Sequence, residues 1–413
     1  MSDISAPALA GSVAAAAETA SGPALARTGP VTRRRVGELD PSLARFAEAW
    51  ISVYRSVSGC ETVWRQAVAG GACFAFQCFE WLAAFEETIG AAEGVEPLLV
   101  HVADRAGRTL LFLPLCLERQ GRLRMVTFLG GAVTDYGAPI IDPQFAATVT
   151  PREMARLLAA AVSLAPRADL VWLRRMPRSI EGVRNPLAEL PGARHNENGH
   201  ALLLPDAPDG FRRSSNNRRK RRQLAQLGPL EFRNPPASSP EAAAILAVLA
   251  RQKSRRWLET VRWDMFAKPG YLAFYERLSS AGLDSAEVHV SALAVGDTVI
   301  AAHWGVVFRG RFYFLLIGRE AGAWDRYSPG RLLIEELIGW CAREGGIGVF
   351  DLTAGEEGYK REWTDHSLPL FEYLAPLSAA GRWFVGQYRI RQWLKQNRHL
   401  RNWIRRLKGR PAR

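Results

Sequence analysis

Cysteine is scarce in this 413-residue chain, with five residues (Cys60, Cys73, Cys78, Cys116 and Cys341) that are odd in number and mostly set among apolar neighbours. That pattern argues against a disulfide framework and for buried free thiols in a cytoplasmic protein. Histidine is also sparse: none of the seven pairs with cysteine or another histidine at ligand spacing, so no metal is expected. No apolar run approaches the roughly 20 residues that a membrane span needs. The alanine run after Val13 lacks the basic flank of a secretory signal, so residues 1–40 read as a disordered leader. Acidic residues are missing from two stretches. Phe211–Arg222 holds seven basic residues and no acid, and Arg382–Arg413 holds eleven and no acid. The two supply +18 of a net +13, leaving −5 for the rest, so basicity is local and implies local anionic partners.

What the chain does contain is ample core-forming material, 48% hydrophobic and 10% aromatic, over a length that suggests two domains. In the second half, Val288–Val295, Thr298–Phe308 and Phe312–Gly318 alternate as strands separated by the turns Gly296-Asp297 and Arg309-Gly310. A loop and a helix over Pro329–Arg343 follow, with Leu333, Leu337, Trp340 and Cys341 at helical spacing. The strand Ile347–Leu352, reached through that crossover, is expected to lie parallel to a neighbour. The first half repeats the order: strands Leu98–Ala103, Arg108–Arg119 and Leu123–Leu129, a loop with Asp135-Tyr136, a helix over Pro151–Leu164, and the strand Ala168–Arg174. Helices precede both meanders, at Glu80–Ile89 and Tyr271–Ser280. The expected architecture is two mixed α/β domains, 41–205 and 206–378, with a cleft between them, closed by a basic helix over 379–413.

The chemistry concentrates in Tyr327-Ser-Pro-Gly-Arg331 and Gly355-Glu-Glu-Gly-Tyr-Lys-Arg-Glu-Trp363. The first opens a helix, whose N-terminus offers unpaired N–H groups and a positive dipole end to an anion. Ser328 reads as N-cap and Pro329 as the first helical residue. Asp351 ends a buried strand, where an acid needs a partner. Lys360 is the expected one, either as a structural pair or as an oxyanion-stabilising group that Asp351 orients. Glu356 or Glu357 can take a proton from an incoming nucleophile, and Tyr359 can return one to the leaving group. His303, inside an apolar strand, is either a core histidine or a second base.

The element order, with Ala301-Ala-His-Trp-Gly305, Tyr327-Ser-Pro-Gly330, Phe350-Asp351, Gly355-Glu-Glu-Gly-Tyr-Lys360 and Trp363, resembles the Gcn5-related N-acetyltransferase (GNAT) superfamily. More narrowly it looks like the CelD-type, BioF2-like acetyltransferases, most strongly over Phe211–Leu370. The tandem arrangement is shared with the FemAB aminoacyltransferases, whose donor is aminoacyl-tRNA.

The resemblance implies two tandem GNAT-like domains and a metal-free acyltransferase using acetyl-CoA or another acyl-CoA. Ser328, Pro329, Gly330 and Arg331, with Ile317 and Gly318, would hold the donor. Asp135, Tyr136 and Trp363 would meet the acceptor, an amine or hydroxyl of a sugar or an envelope or exopolysaccharide precursor. One departure stands out: Pro329 replaces a usual glycine of the pyrophosphate loop, leaving fewer backbone N–H donors. That departure and the basic run Arg212–Arg222 favour the tRNA alternative; a non-catalytic assembly protein and a nucleic-acid binder are further alternatives. The tail sets Arg391, Lys395, Arg398 and Arg405 against Ile390, Trp393, Leu394, Leu400, Ile404 and Leu407. Such a helix either lies peripherally on anionic lipid or docks its apolar side on the second domain.

Overall fold

The computed structural model describes residues 29–204, 215–260, 262, 264–364 and 366–396. Ten strands precede residue 205: β1 Thr32–Arg35, β2 Trp50–Tyr54, β3 Glu96–Ala103, β4 Thr109–Gln120, β5 Leu123–Phe128, β6 Ile140–Ile141, β7 Leu170–Pro177, β8 Ser179–Ile180, β9 Val183–Arg184 and β10 Arg194–Leu203. Six follow: β11 Leu230–Arg233, β12 Glu287–Val295, β13 Thr298–Phe308, β14 Arg311–Arg319, β15 Val349–Ala354 and β16 Ser367–Pro376.

The repeat read from the sequence is present. β3, β4 and β5 form an antiparallel meander, as do β12, β13 and β14. A crossover helix, Pro151–Ser163 in one half and Pro329–Glu344 in the other, then delivers β7 parallel to β5 and β15 parallel to β14. Both parallel contacts are short. β5 and β7 pair only at Met125–Val126 with Leu170–Val171, and β14 and β15 only at Arg311–Tyr313 with Val349–Asp351. Each half is therefore a sheet that splits open like a wedge.

The halves join through exchanged strands, which the sequence did not announce. β16 lies against β7 of the first half, and β10 lies between β16 and β15. Among the described residues one sheet runs β1-β2-β3-β4-β5-β7-β16-β10-β15-β14-β13-β12-β11, with β6 on β4. An aromatic interface backs this junction. Phe76 packs on Tyr136 and Tyr313 with centroids 5.8 and 5.3 Å apart, and Trp81 packs on Phe274 and Trp304 at 5.1 and 6.0 Å.

At the centre sits Asp351, fully buried. One carboxylate oxygen accepts from the Tyr136 hydroxyl at 2.8 Å and the Thr353 N–H at 2.7 Å; the other accepts from Arg311 at 2.8 Å. Thr353, β-branched, is held at φ 61°, a conformation that such a residue adopts only under strong local constraint. The β10–β15 register shifts beside it, between His200 and Ala201.

Two boundaries differ from expectation. Thr32–Arg35 pairs with β2 and Val36–Leu39 is helical, so the segment 1–40 is not wholly a leader; residues 1–28 lie outside the described residues. The C-terminal helix is described over Ala379–Gln396; the rest of the tail lies outside. It docks through Phe384, Val385 and Tyr388 on β16 and on Trp172 of β7, while Ile390 and Trp393, expected on the docking side, are exposed. The five cysteines are buried and free.

Tyr136→Phe removes a buried hydroxyl from Asp351 and is expected to destabilise the fold by roughly 1–3 kcal/mol. Urea denaturation measures this; an unchanged midpoint would show that the hydrogen bond contributes nothing.

Candidate functional site

Beyond Tyr313, β14 has no partner on its β15 side, because the loop after β14 and the helix it starts spread the two strands. The opening is a pocket of about 480 Å³. Ile317, Gly318 and Arg319 of β14, Ser328, Gly330 and Arg331 of the loop, Arg256 of the long helix Pro240–Thr260, and Tyr359 from beyond β15 line it. A Cβ at Gly330 would lie 3.7 and 3.9 Å from Ile317 and Arg319, ordinary contact, so a side chain well beyond a methyl group is needed to fill the mouth.

Ser328 does not cap the helix. It sits at φ 53°, ψ 56°, and makes no capping bond; its hydroxyl accepts from Lys220 Nζ at 2.7 Å. Thr150, at the equivalent place in the first half, does cap, through a reciprocal box with Glu153. Lys220 arrives on the basic helix Ser215–Ala225, which Arg221 anchors to Glu335, Glu336 and the Leu332 carbonyl. Pro329 is buried as the first helical residue, and the Arg331 N–H donates to the Ser328 carbonyl at 3.0 Å. The anion-attracting capacity of this mouth therefore lies mainly in side chains: Arg256, Arg331 and Lys220, with Arg319 paired to Asp325, which also lines the pocket. Arg331 also pairs with Glu362 and lies over the half-buried Trp363, 5.8 Å from its ring centroid. Trp363 thus packs against Arg331 of the loop that starts the helix.

The segment after β15 joins the pocket in part. Tyr359 reaches its wall, and burial and the nearby Glu357 push its hydroxyl well above the ordinary value, so it stays protonated. Lys360 is turned inward, 3% exposed, with Nζ 2.6 Å from the Ala354 carbonyl, 3.4 Å from that of Thr353 and 2.9 Å from the Glu357 carboxylate. With its three protons committed, it has none for an oxyanion, and Asp351 does not orient it, being held by Arg311 and Tyr136. Glu356 accepts from Asn198 of β10 at 2.7 Å and Arg361 at 2.8 Å, and these bonds hold its carboxyl below the usual range. It is a fixed charge and a poor base.

His303 is fully buried, stacked on Phe312 and Phe314 with centroids 5.4 and 4.8 Å away, and burial drives its pKa far down. It belongs to the core. Tyr136 is equally enclosed, with Gly199 against its hydroxyl end. Asp135 keeps some exposure, pairs with Arg175 at 3.1 Å, and is raised by burial against the pull of Arg175. It stands close enough to Thr353 and Lys360 to interact with both, so this acid of the first half does meet the segment after β15 of the second.

Lys253 escaped the sequence reading because Arg251-Gln-Lys-Ser-Arg-Arg looks like a solvated helix face. It is half-buried, with Nζ 4.6 Å from the Trp257 ring centroid and in the fields of Glu357 and Lys360. Burial lowers its pKa to about 8. The first-half wedge holds a second opening, about 320 Å³, where Glu118, Arg174 and Arg175 face Lys268 and Tyr271 of the second half. No helix among the described residues is long and apolar enough to cross a membrane.

Comparison with protein families matches residues 211–361 to the acetyltransferase (GNAT) domain. Over that stretch the chain is similar to a GNAT acyltransferase domain, and the split β14–β15 pair with its loop helix falls inside it. Among solved structures, FemX is 12% identical, covering 76% of this chain and 95% of FemX with a TM-score of 0.50. The C-terminal domain of a putative lysylphosphatidylglycerol synthetase from Agrobacterium fabrum is 12% identical, covering 80% and 95%, TM-score 0.47. A tandem GNAT protein from the clavulanic acid biosynthesis pathway is 13% identical, covering 80% and 100%, TM-score 0.45. At such identities the likeness is one of fold alone. Curated protein sequences give no match.

Lys253 is expected to titrate near pH 8 against 10.5 for an ordinary lysine. The unfolded chain then binds more protons between those values, so this residue makes stability rise with pH across that window, with the full penalty in place below it. Carbon-13 shifts of labelled lysine side chains report the titration; a midpoint near 10.5 would mean that the side chain is solvated.

Proposed function

We propose that the protein is an acyltransferase of the CelD type. It would bind an acyl-CoA in the β14–β15 wedge and acylate an amine or hydroxyl of a sugar or envelope-related precursor. The observation supporting this is the pocket itself: an apolar floor of Ile317 and Ile334 beneath a rim carrying Arg256, Arg319 and Arg331, with Lys220 at Ser328. A pyrophosphate-bearing donor with an extended thioester arm matches such a cationic mouth and slot. The unpaired edge of β14 offers backbone N–H groups to a thioester carbonyl.

The acceptor would approach from the first-half side, where Asp135, Arg174, Arg175 and Lys268 present both charges. As the new bond to the acyl carbon forms and the bond to sulfur breaks, the acceptor's proton passes to neutral Lys253, while Glu357, paired with Lys360 and held below the usual carboxylate range, stays charged beside it. Tyr359, kept protonated, gives its proton to the leaving thiolate. Lys360 fixes the loop that carries these groups. The glycan-type acceptor rests on analogy with the family alone.

A second reading, transfer from aminoacyl-tRNA, has its own support. Arg218, Arg219 and Arg222 are exposed beside Lys220 and extend the cationic surface past the pocket mouth. Calorimetry with acetyl-CoA, longer acyl-CoAs and charged tRNA separates the two, and saturable binding of none of them sinks both. Gly330→Leu, which fills the mouth, is expected to weaken acyl-CoA binding at least about tenfold, or 1.4 kcal/mol, with the melting temperature retained. Tyr359→Phe is expected to lower kcat by about a hundredfold with little change in KM, measured by thiol release; an unchanged kcat would remove it from the reaction.

A further inference from the structure

We propose that the outward face of the C-terminal helix is a docking surface for an anionic phospholipid bilayer. The inference is independent of the transferase reading. The helix Ala379–Gln396 buries one side and leaves the other in solvent, and that other side is not polar. Trp383 is 72% exposed, Ile390 60% and Trp393 56%, with Leu377 at 47% just ahead of the helix. Residues 383, 390 and 393 fall within about a quarter-turn arc of an ideal helix, so the three form one stripe. Arginines flank it on both sides, Arg382 and Arg389 on one and Arg391 on the other, all exposed. Tryptophan beside arginine on one face of a helix suits the boundary between headgroups and acyl chains. There the indoles enter the apolar region and the guanidinium groups reach phosphate.

A second feature points to the same occupant. A pocket of about 190 Å³ opens beside the stripe, with Arg389 and Trp393 on its helix wall and Arg194 and His195 of β10 opposite. Glu372 also lines it, but its carboxylate already accepts from Tyr388 at 2.8 Å and from Trp172 at 3.2 Å. Among the described residues neither Arg194 nor Arg389 has an ion-pair partner, so a phosphate entering this pocket would meet two cations against the one carboxylate of Glu372. The helix agrees in sign, since Ala379–Gln396 contains Arg382, Arg389, Arg391 and Lys395 and no acid. A protein partner would need to bring both an apolar stripe and clustered anions; a bilayer containing acidic lipid presents both at once.

Vesicle flotation of the full chain tests this, with phosphatidylcholine alone and with phosphatidylcholine mixed with phosphatidylglycerol. Wild type is expected to float with the anionic vesicles at least about tenfold more than with the zwitterionic ones, and less as salt rises. Trp383→Glu with Ile390→Glu, surface changes that leave the docked side intact, are expected to abolish flotation while the melting temperature holds. Arg194→Glu with Arg389→Glu is expected to remove the preference for anionic lipid and spare residual binding. Undiminished flotation of the first double variant would overturn the proposal, because binding would then reside elsewhere. Failure of wild type to float, with concentration-dependent self-association that the same variant relieves, would also overturn it and assign the stripe to a second copy of the chain.

Discussion

A single buried carboxylate organises the junction. Asp351 cannot sit at zero exposure without compensation, and its compensation comes from both halves at once: Arg311 on the neighbouring strand and Tyr136 from the loop of the first half. Its third acceptor contact, to the Thr353 N–H, stabilises a left-handed threonine at the register shift between β15 and β10. Beyond it the segment Gly355–Trp363 brings Tyr359 to the pocket wall, and Lys360 tacks that segment to the carbonyls of Thr353 and Ala354. The charges near the pocket are thus arranged by one hydrogen-bonded knot, in which removal of any member strands another in a dry interior.

Electrostatics divides the basic segments by task. In the helix Ser215–Ala225, Arg221 is matched by Glu335 and Glu336, which fixes the helix beside the loop and turns Lys220 to Ser328. The cationic mouth is therefore pre-built, and a phosphorylated ligand need not gather its own cations. In the C-terminal helix the anchoring is aromatic, Phe384 and Tyr388 on Trp172, and its arginines remain in water.

The repeated meander, both crossover helices and both parallel strands were legible in the chain, because alternating β-branched runs end in clear turns and the helices begin at proline. Ile317, Gly318, Ser328, Gly330 and Arg331, named together through the family resemblance, do line one pocket, and Tyr359, read as a proton donor, lines it with them. The roles of individual acids and bases were not legible. Asp351 was paired on paper with Lys360, nine residues away, whereas the fold offered Arg311 and Tyr136, 40 and 215 residues away in sequence. Lys253 and Lys220 were hidden in charge-rich helices whose buried sides only tertiary packing defines. His303 looked available until Phe312 and Phe314 closed over it.

The interchange of β10 and β16 carries a consequence for synthesis on the ribosome. The first lobe lacks the strand that covers β7 until residues 367–376 have emerged, near the end of the described residues. For most of translation the edge of β7 is bare, and β10 waits with no neighbour on either flank. Maturation of the two lobes must finish together, so a nascent or truncated chain ending before Ser367 presents unsatisfied strand edges to chaperones and to its own copies.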